Sequence, residues 1–96
     1  MGLMMALTNA QVTVAEGTRV LIASADNMPQ DVIVHEGDHA SSTTSFLGDS
    51  AVTATTGLHI HNGETLSMTL RPGDELYAFS SQGAPVLHVI QIQKND

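Results

Sequence analysis

The hydrophobic pattern of this chain has the period of β-strands from one end to the other. Between Asn62-Gly63 and Pro72-Gly73, Leu66, Met68 and Leu70 alternate with Thr65, Ser67 and Thr69. Such alternation predicts a strand with one buried face and one wetted face. Ala10–Val14 alternates in the same way, and Glu16-Gly17 turns the chain. Arg19–Ala23 is apolar at successive positions, which predicts a strand covered on both faces in the middle of a sheet. Asp31–His35 predicts the next strand, closed by Gly37-Asp38. Ser41–Ser45 is too polar for a core and predicts an edge strand or a loop leading into Phe46-Leu47-Gly48. Ala51–Thr56 reads as a further strand, ended by Gly57. Leu58–His61, Glu75–Phe79 and Val86–Ile92 complete the set, and no helix-length amphipathic pattern competes.

Seven or eight short strands at this spacing predict an all-β fold: a small antiparallel β-sandwich or jelly-roll-like barrel. Asn62-Gly63 predicts a type I′ hairpin, in which both central residues take positive φ. Pro72-Gly73 predicts a type II turn, so residues 57–78 read as a β-meander. The expected core is Val12, Val14, Val20, Ile22, Ile33, Leu58, Ile60, Leu66, Met68, Leu70, Leu76, Ala78, Val89 and Ile92. Residues 10–94 form one expected domain. Residues 1–9 form an expected apolar arm packed on the domain or on a partner, because the interface candidates Met1, Leu3, Met4, Met5 and Leu7 are costly to leave in water.

Composition narrows the picture further. The 96 residues contain no cysteine, which removes disulfides, thiol nucleophiles and thiolate metal sites. Ten Asp and Glu residues face only Arg19, Arg71 and Lys94, for a net charge of −7. Counterion release onto nucleic acid needs clustered Lys and Arg, so nucleic acid is not an expected partner. An anionic membrane surface is disfavoured for the same reason. No apolar run approaches the ~18–20 residues of a membrane span. The apolar start lacks the basic residues and cleavage site of a signal peptide.

The sharpest candidate chemistry is His59 and His61, two apart on one strand and therefore on one face, with Glu64 just beyond the turn. The pair, with Pro72-Gly73-Asp74, resembles the cupins, which are metal-binding β-barrels. The spacing departs from that family: Thr53 stands where a cupin has a glycine, and Glu64 follows His61 by three residues rather than four or five. His88, the one candidate for a further ligand, lies fourteen residues past Asp74, further than the motif allows. The alternative reading is a pair of exposed histidines beside a turn, with no metal and no cofactor. His35 and His39 are scattered in sequence, and no nucleophile-elbow glycines frame Asp49-Ser50. Tyr77 and Phe79 share one strand face, which predicts either a packed second face or a subunit interface.

Phe46–Gly57, Gly63-Glu-Thr-Leu66, Leu70–Ala78 and the closing Val89-Ile-Gln-Ile92 resemble a family of small β-sandwich virion proteins of tailed bacteriophages, which includes head-decoration (capsid-cementing) proteins. The resemblance spans about residues 10–93 and rests on turn and core positions. It implies a non-enzymatic capsid decoration protein on the outer surface of the virion. It also implies the major capsid protein as partner and self-association as a homotrimer at local three-fold positions. Tail, fiber or adaptor modules are the alternatives within the virion. A cupin-like metal-binding protein and a glycan-binding sandwich, with loops 37–50 and 80–85 as contact surface, are the alternatives outside this role. His59, His61 and the apolar start do not belong to the family pattern.

Overall fold

The computed structural model describes residues 7–37 and 43–94. These form eight strands: β1 (Leu7–Thr13), β2 (Arg19–Ser24), β3 (Gln30–Glu36), β4 (Thr44–Gly48), β5 (Leu58–His61), β6 (Thr65–Leu70), β7 (Glu75–Ser80) and β8 (Val86–Gln93). They make two four-stranded antiparallel sheets, ordered β1-β8-β3-β6 and β2-β7-β4-β5. The architecture is an open sandwich with jelly-roll strand order, not a closed barrel. Of the seven connections only β4–β5 stays within one sheet; each of the others carries the chain across to the opposite sheet. Leu7, Thr8 and Asn9 fall within the expected arm but are already paired with Ile92, Gln91 and Ile90 of β8. Met1, Leu3, Met4, Met5 and His39 lie outside the described residues.

The crossing topology replaces the expected meander. β5, β6 and β7 follow one another through tight turns, yet β5 and β7 lie in one sheet and β6 in the other. At His61–Glu64 only Gly63 has positive φ, at 89°, so Asn62-Gly63 is not a type I′ hairpin. The Glu64 N–H donates to the His61 carbonyl at 2.9 Å. At Arg71–Asp74 the Asp74 N–H donates to the Arg71 carbonyl at 2.9 Å, with Gly73 at φ 91°. Both turns have the single positive φ at the third residue that marks type II.

The two turns are built alike and anchored alike. Glu64 Oε1 accepts the backbone N–H of His61 at 2.7 Å, and Asp74 Oδ2 accepts that of Arg71 at 2.8 Å. Gly63 donates to the Glu36 carbonyl, and Glu36 donates back to the Glu64 carbonyl. Gly73 donates to the Ala25 carbonyl, and Ala25 donates back to the Asp74 carbonyl. The two ends of β6 are thus fastened reciprocally to the last residue of β3 and to the residue that follows β2.

The core fills the space between the sheets with Val14, Ile22, Ala23, Ala25, Val32, Val34, Leu47, Ile60, Leu70, Leu76, Ala78, Leu87 and Val89. Val12, Val20, Leu66 and Met68 pack at its margin. Three expected core residues lie outside the core instead. Ile33 alternates with buried Val32 and Val34, Ile92 lies on the outer face of β8, and Leu58 is 57% exposed at a strand end. β2 is an edge strand rather than a central one. A register shift between Leu21 and Ala23 turns both Ile22 and Ala23 inward, which accounts for its unbroken apolar run. β4 is a central strand with Ser45, Phe46 and Leu47 buried, against the edge strand or loop expected there. Ala51–Thr56 is a loop, not a strand.

Gly63→Val and Gly73→Val each place a β-branched residue at positive φ, and each is expected to lower the unfolding free energy by about 1–3 kcal/mol. Urea denaturation monitored by circular dichroism measures both; a loss below about 0.5 kcal/mol at either position would contradict the anchoring role of that turn.

Candidate functional site

The outer face of the second sheet holds the candidate residues His59, His61, Tyr77 and Phe79. Strand period places them there with Phe46, Arg19 and Leu21, because Phe79 pairs with both Phe46 and Arg19, and Tyr77 with Leu21. The loop after β4 folds back over part of this face. Its Val52 is buried and touches the region of Gly48 and Gly57. A Cβ on Gly57 would stand 2.6 Å from Phe46 Cβ and 2.7 Å from Val52 Cγ2, so the glycine is what lets the loop lie flat. Arg19 ties the arrangement together. Its Nε donates to the Val52 carbonyl at 2.7 Å, and its guanidinium carbon stands 5.5 Å from the Phe79 ring centroid. Phe46 and Phe79 therefore belong to a small second core outside the sandwich, while Tyr77 is half-buried beside an exposed Leu21.

His59 and His61 do project from one face, with ring centroids 6.1 Å apart. Each is engaged. His59 packs edge-on against Phe46 at 5.1 Å, and His61 Nδ1 lies 3.0 Å from Thr44 Oγ1. Glu64 does not turn toward them; its carboxylate caps the His61 backbone. His88 lies on the outer face of the other sheet. There it pairs with His35 at 6.2 Å between ring centroids, and His35 Nδ1 is 2.8 Å from Thr65 Oγ1. A Cβ on Gly37 would come within 2.7 Å of the His88 ring, so this imidazole rests directly on the Gly37 backbone. The four described histidines thus fall into two pairs on opposite faces. Among the described residues no three His, Cys, Asp or Glu side chains converge into a metal-binding group. Asp49 is likewise committed locally, accepting the Ala51 N–H at 2.9 Å.

One polar group was not singled out by sequence reasoning. Glu36 is fully buried at the end of β3, where it continues the inward phase of Val32 and Val34. Its Oε2 accepts a hydrogen bond of 2.5 Å from the Thr43 hydroxyl, while Oε1 has no hydrogen-bond partner among the described residues. Ser45 Oγ is also buried without one. Ser80, opposite Ser45, donates to the carbonyls of Gln82 and Gly83. This end of the interior is polar where the remainder is aliphatic. Phase counting from Val32 was the signal that could have found Glu36.

No family model and no curated protein matches the chain. A chain in a solved structure of Bacillus endospore appendages, which form a family of disulfide-linked pili, is similar in fold. The similarity covers 95% of this chain and 88% of that one, at TM-score 0.59 and 14% sequence identity. At that identity the likeness concerns the fold. The 96 residues here contain no cysteine, so the disulfide linkage of those pili has no counterpart among them.

Gly57→Ala is expected to lift the loop from the second sheet and destabilise by about 1–3 kcal/mol. Thermal unfolding and the chemical shifts of the Phe46 ring report it together. Thr43→Val leaves both Glu36 carboxylate oxygens without a hydrogen bond among the described residues and is expected to cost about 1–3 kcal/mol, whereas the pair Thr43→Val with Glu36→Met removes both of these buried polar groups and is expected to regain at least wild-type stability. A double-mutant cycle in urea reads the difference.

Proposed function

We propose that the chain is a non-enzymatic structural building block, and within that class a virion protein that decorates the capsid of a tailed bacteriophage. The observation that carries this reading is where the chemically capable side chains are spent. The carboxylates of Glu64 and Asp74 cap turns, Arg19 clamps a loop onto an aromatic ring, and His35 and His61 meet threonine hydroxyls. These groups serve the rigidity of the sandwich. Two further observations support it. The turn and core residues resemble head-decoration proteins, and the sandwich is shared over nearly its whole length with a chain of a pilus-like appendage, itself an assembled surface structure.

In this role the protein binds the outer face of the major capsid lattice as a homotrimer. A ligand that recognises only the assembled shell stabilises that shell by mass action, and many symmetric copies multiply the effect. The apolar residues Met1, Leu3, Met4 and Met5 supply the contact, leading directly into β1 at Leu7.

Quantitative mass spectrometry of purified particles tests the assignment. Hundreds of copies per particle are expected. A handful would assign the protein to the tail, a fiber or an adaptor, and its absence from particles would remove the virion reading. Deleting residues 1–6 leaves β1 intact and is expected to reduce capsid attachment by at least about tenfold, the effect of losing roughly 1.4 kcal/mol of binding. Metal analysis covers the enzymatic alternative: stoichiometric bound metal lost on His59→Ala and His61→Ala substitution would overturn the structural reading.

A further inference from the structure

The four sheet edges of the molecule are not alike. In the second sheet, edge strand β2 carries Arg19 and a register shift, and edge strand β5 has four residues, two of them histidines. Charge, irregularity and shortness are the devices by which proteins keep edges from pairing with other chains. The edge strands of the first sheet have none of them. β1 (LTNAQVT) and β6 (TLSMTL) contain no charged residue, no proline and no glycine. Their registers with β8 and β3 run unbroken. Both end the sheet, and among the described residues neither has a strand on its outer side. In a chain of net charge −7, none of the ten acidic residues falls on either strand.

We propose that copies of this chain join edge to edge through the first sheet, the outer edge of β1 in one copy pairing antiparallel with the outer edge of β6 in the next. Strand direction permits it. Four antiparallel strands make β1 and β6 opposite in direction, so a copy added without inversion continues the alternation. Length permits it as well, with seven residues against six, or about 20 Å of ladder. The faces also match. On the inner side, Ala10 and Val12 meet Leu66 and Met68, which are only partly covered within one copy. On the outer side, Asn9, Gln11 and Thr13 meet Thr65, Ser67 and Thr69, short polar residues suited to cross-strand hydrogen bonds. The contact is heterologous, so it generates a ring if the rotation closes and a filament if it does not.

Charge placed on the outward, exposed positions Asn9 and Ser67 tests this on the full-length isolated protein, with no particle present. The outcome is therefore separate from that of the capsid experiment. Sedimentation velocity over a concentration series is expected to show wild-type species larger than the monomer. N9K/S67K sets like charges across the contact and is expected to weaken association by at least about tenfold. N9K/S67E sets opposite charges across it and is expected to associate at least as well as wild type. Circular dichroism melts confirm that all three fold. A wild type that is monomeric throughout, or N9K/S67K that associates like wild type, overturns the proposal. N9K/S67E that fails as N9K/S67K does indicates β1–β1 or β6–β6 pairing and overturns it equally.

Discussion

The fold depends on two pairs of reciprocal backbone hydrogen bonds, Gly63 and Glu64 with Glu36, and Gly73 and Asp74 with Ala25. Six of the seven connections cross from one sheet to the other, so hairpin pairing cannot hold most of the strands in place. The turns at either end of β6 take over that task. Each fastens a crossing to a strand end that lies far away in sequence, and each is stiffened by an acidic side chain capping its own first residue. With both ends of β6 fixed, its inward residues Leu66, Met68 and Leu70 are held over the core, and β3 has a defined neighbour.

The position of both turns and the type of the one at Pro72-Gly73 were legible in the sequence; the type of the one at Asn62-Gly63 and the destination of both were not. A Gly at positive φ after Pro or Asn signals a tight reversal whether the next strand lies alongside or across the sandwich. Strand existence was legible wherever one face was polar, as in β6. It failed at β4, where Ser45 is buried through its place between β5 and β7 rather than through its own polarity. Phase was unreadable in Val32-Ile33-Val34, where both faces are apolar, and with it went the burial of Glu36. The shared face of His59 and His61 followed from period alone. The use of Glu64 for the backbone of His61 did not, because a side chain's choice between a turn and a ligand is made by geometry that spacing does not carry.

The polar groups of this molecule divide by place. On the surface they brace turns and loops, and Phe46 and Phe79 of the second sheet are drawn into a small core of their own by Val52 and Arg19. Inside, Glu36, Thr43, Ser45 and Ser80 gather at one end of an otherwise aliphatic interior. A rigid block with blunted edges on one sheet and plain edges on the other suits a part that is repeated in an assembly.

The pairing of β1 with β8 joins the first of the described strands to the last. During synthesis β1 finds no neighbour in its sheet until β8 has left the ribosome. Non-local pairings of this kind place folding on the slow, millisecond-to-second side of small domains. They also make synthesis of β8 a condition for completing the first sheet. A product cut short before β8 leaves β1 and β3 without the strand that lies between them, so prematurely ended copies lack the surface that finished ones present.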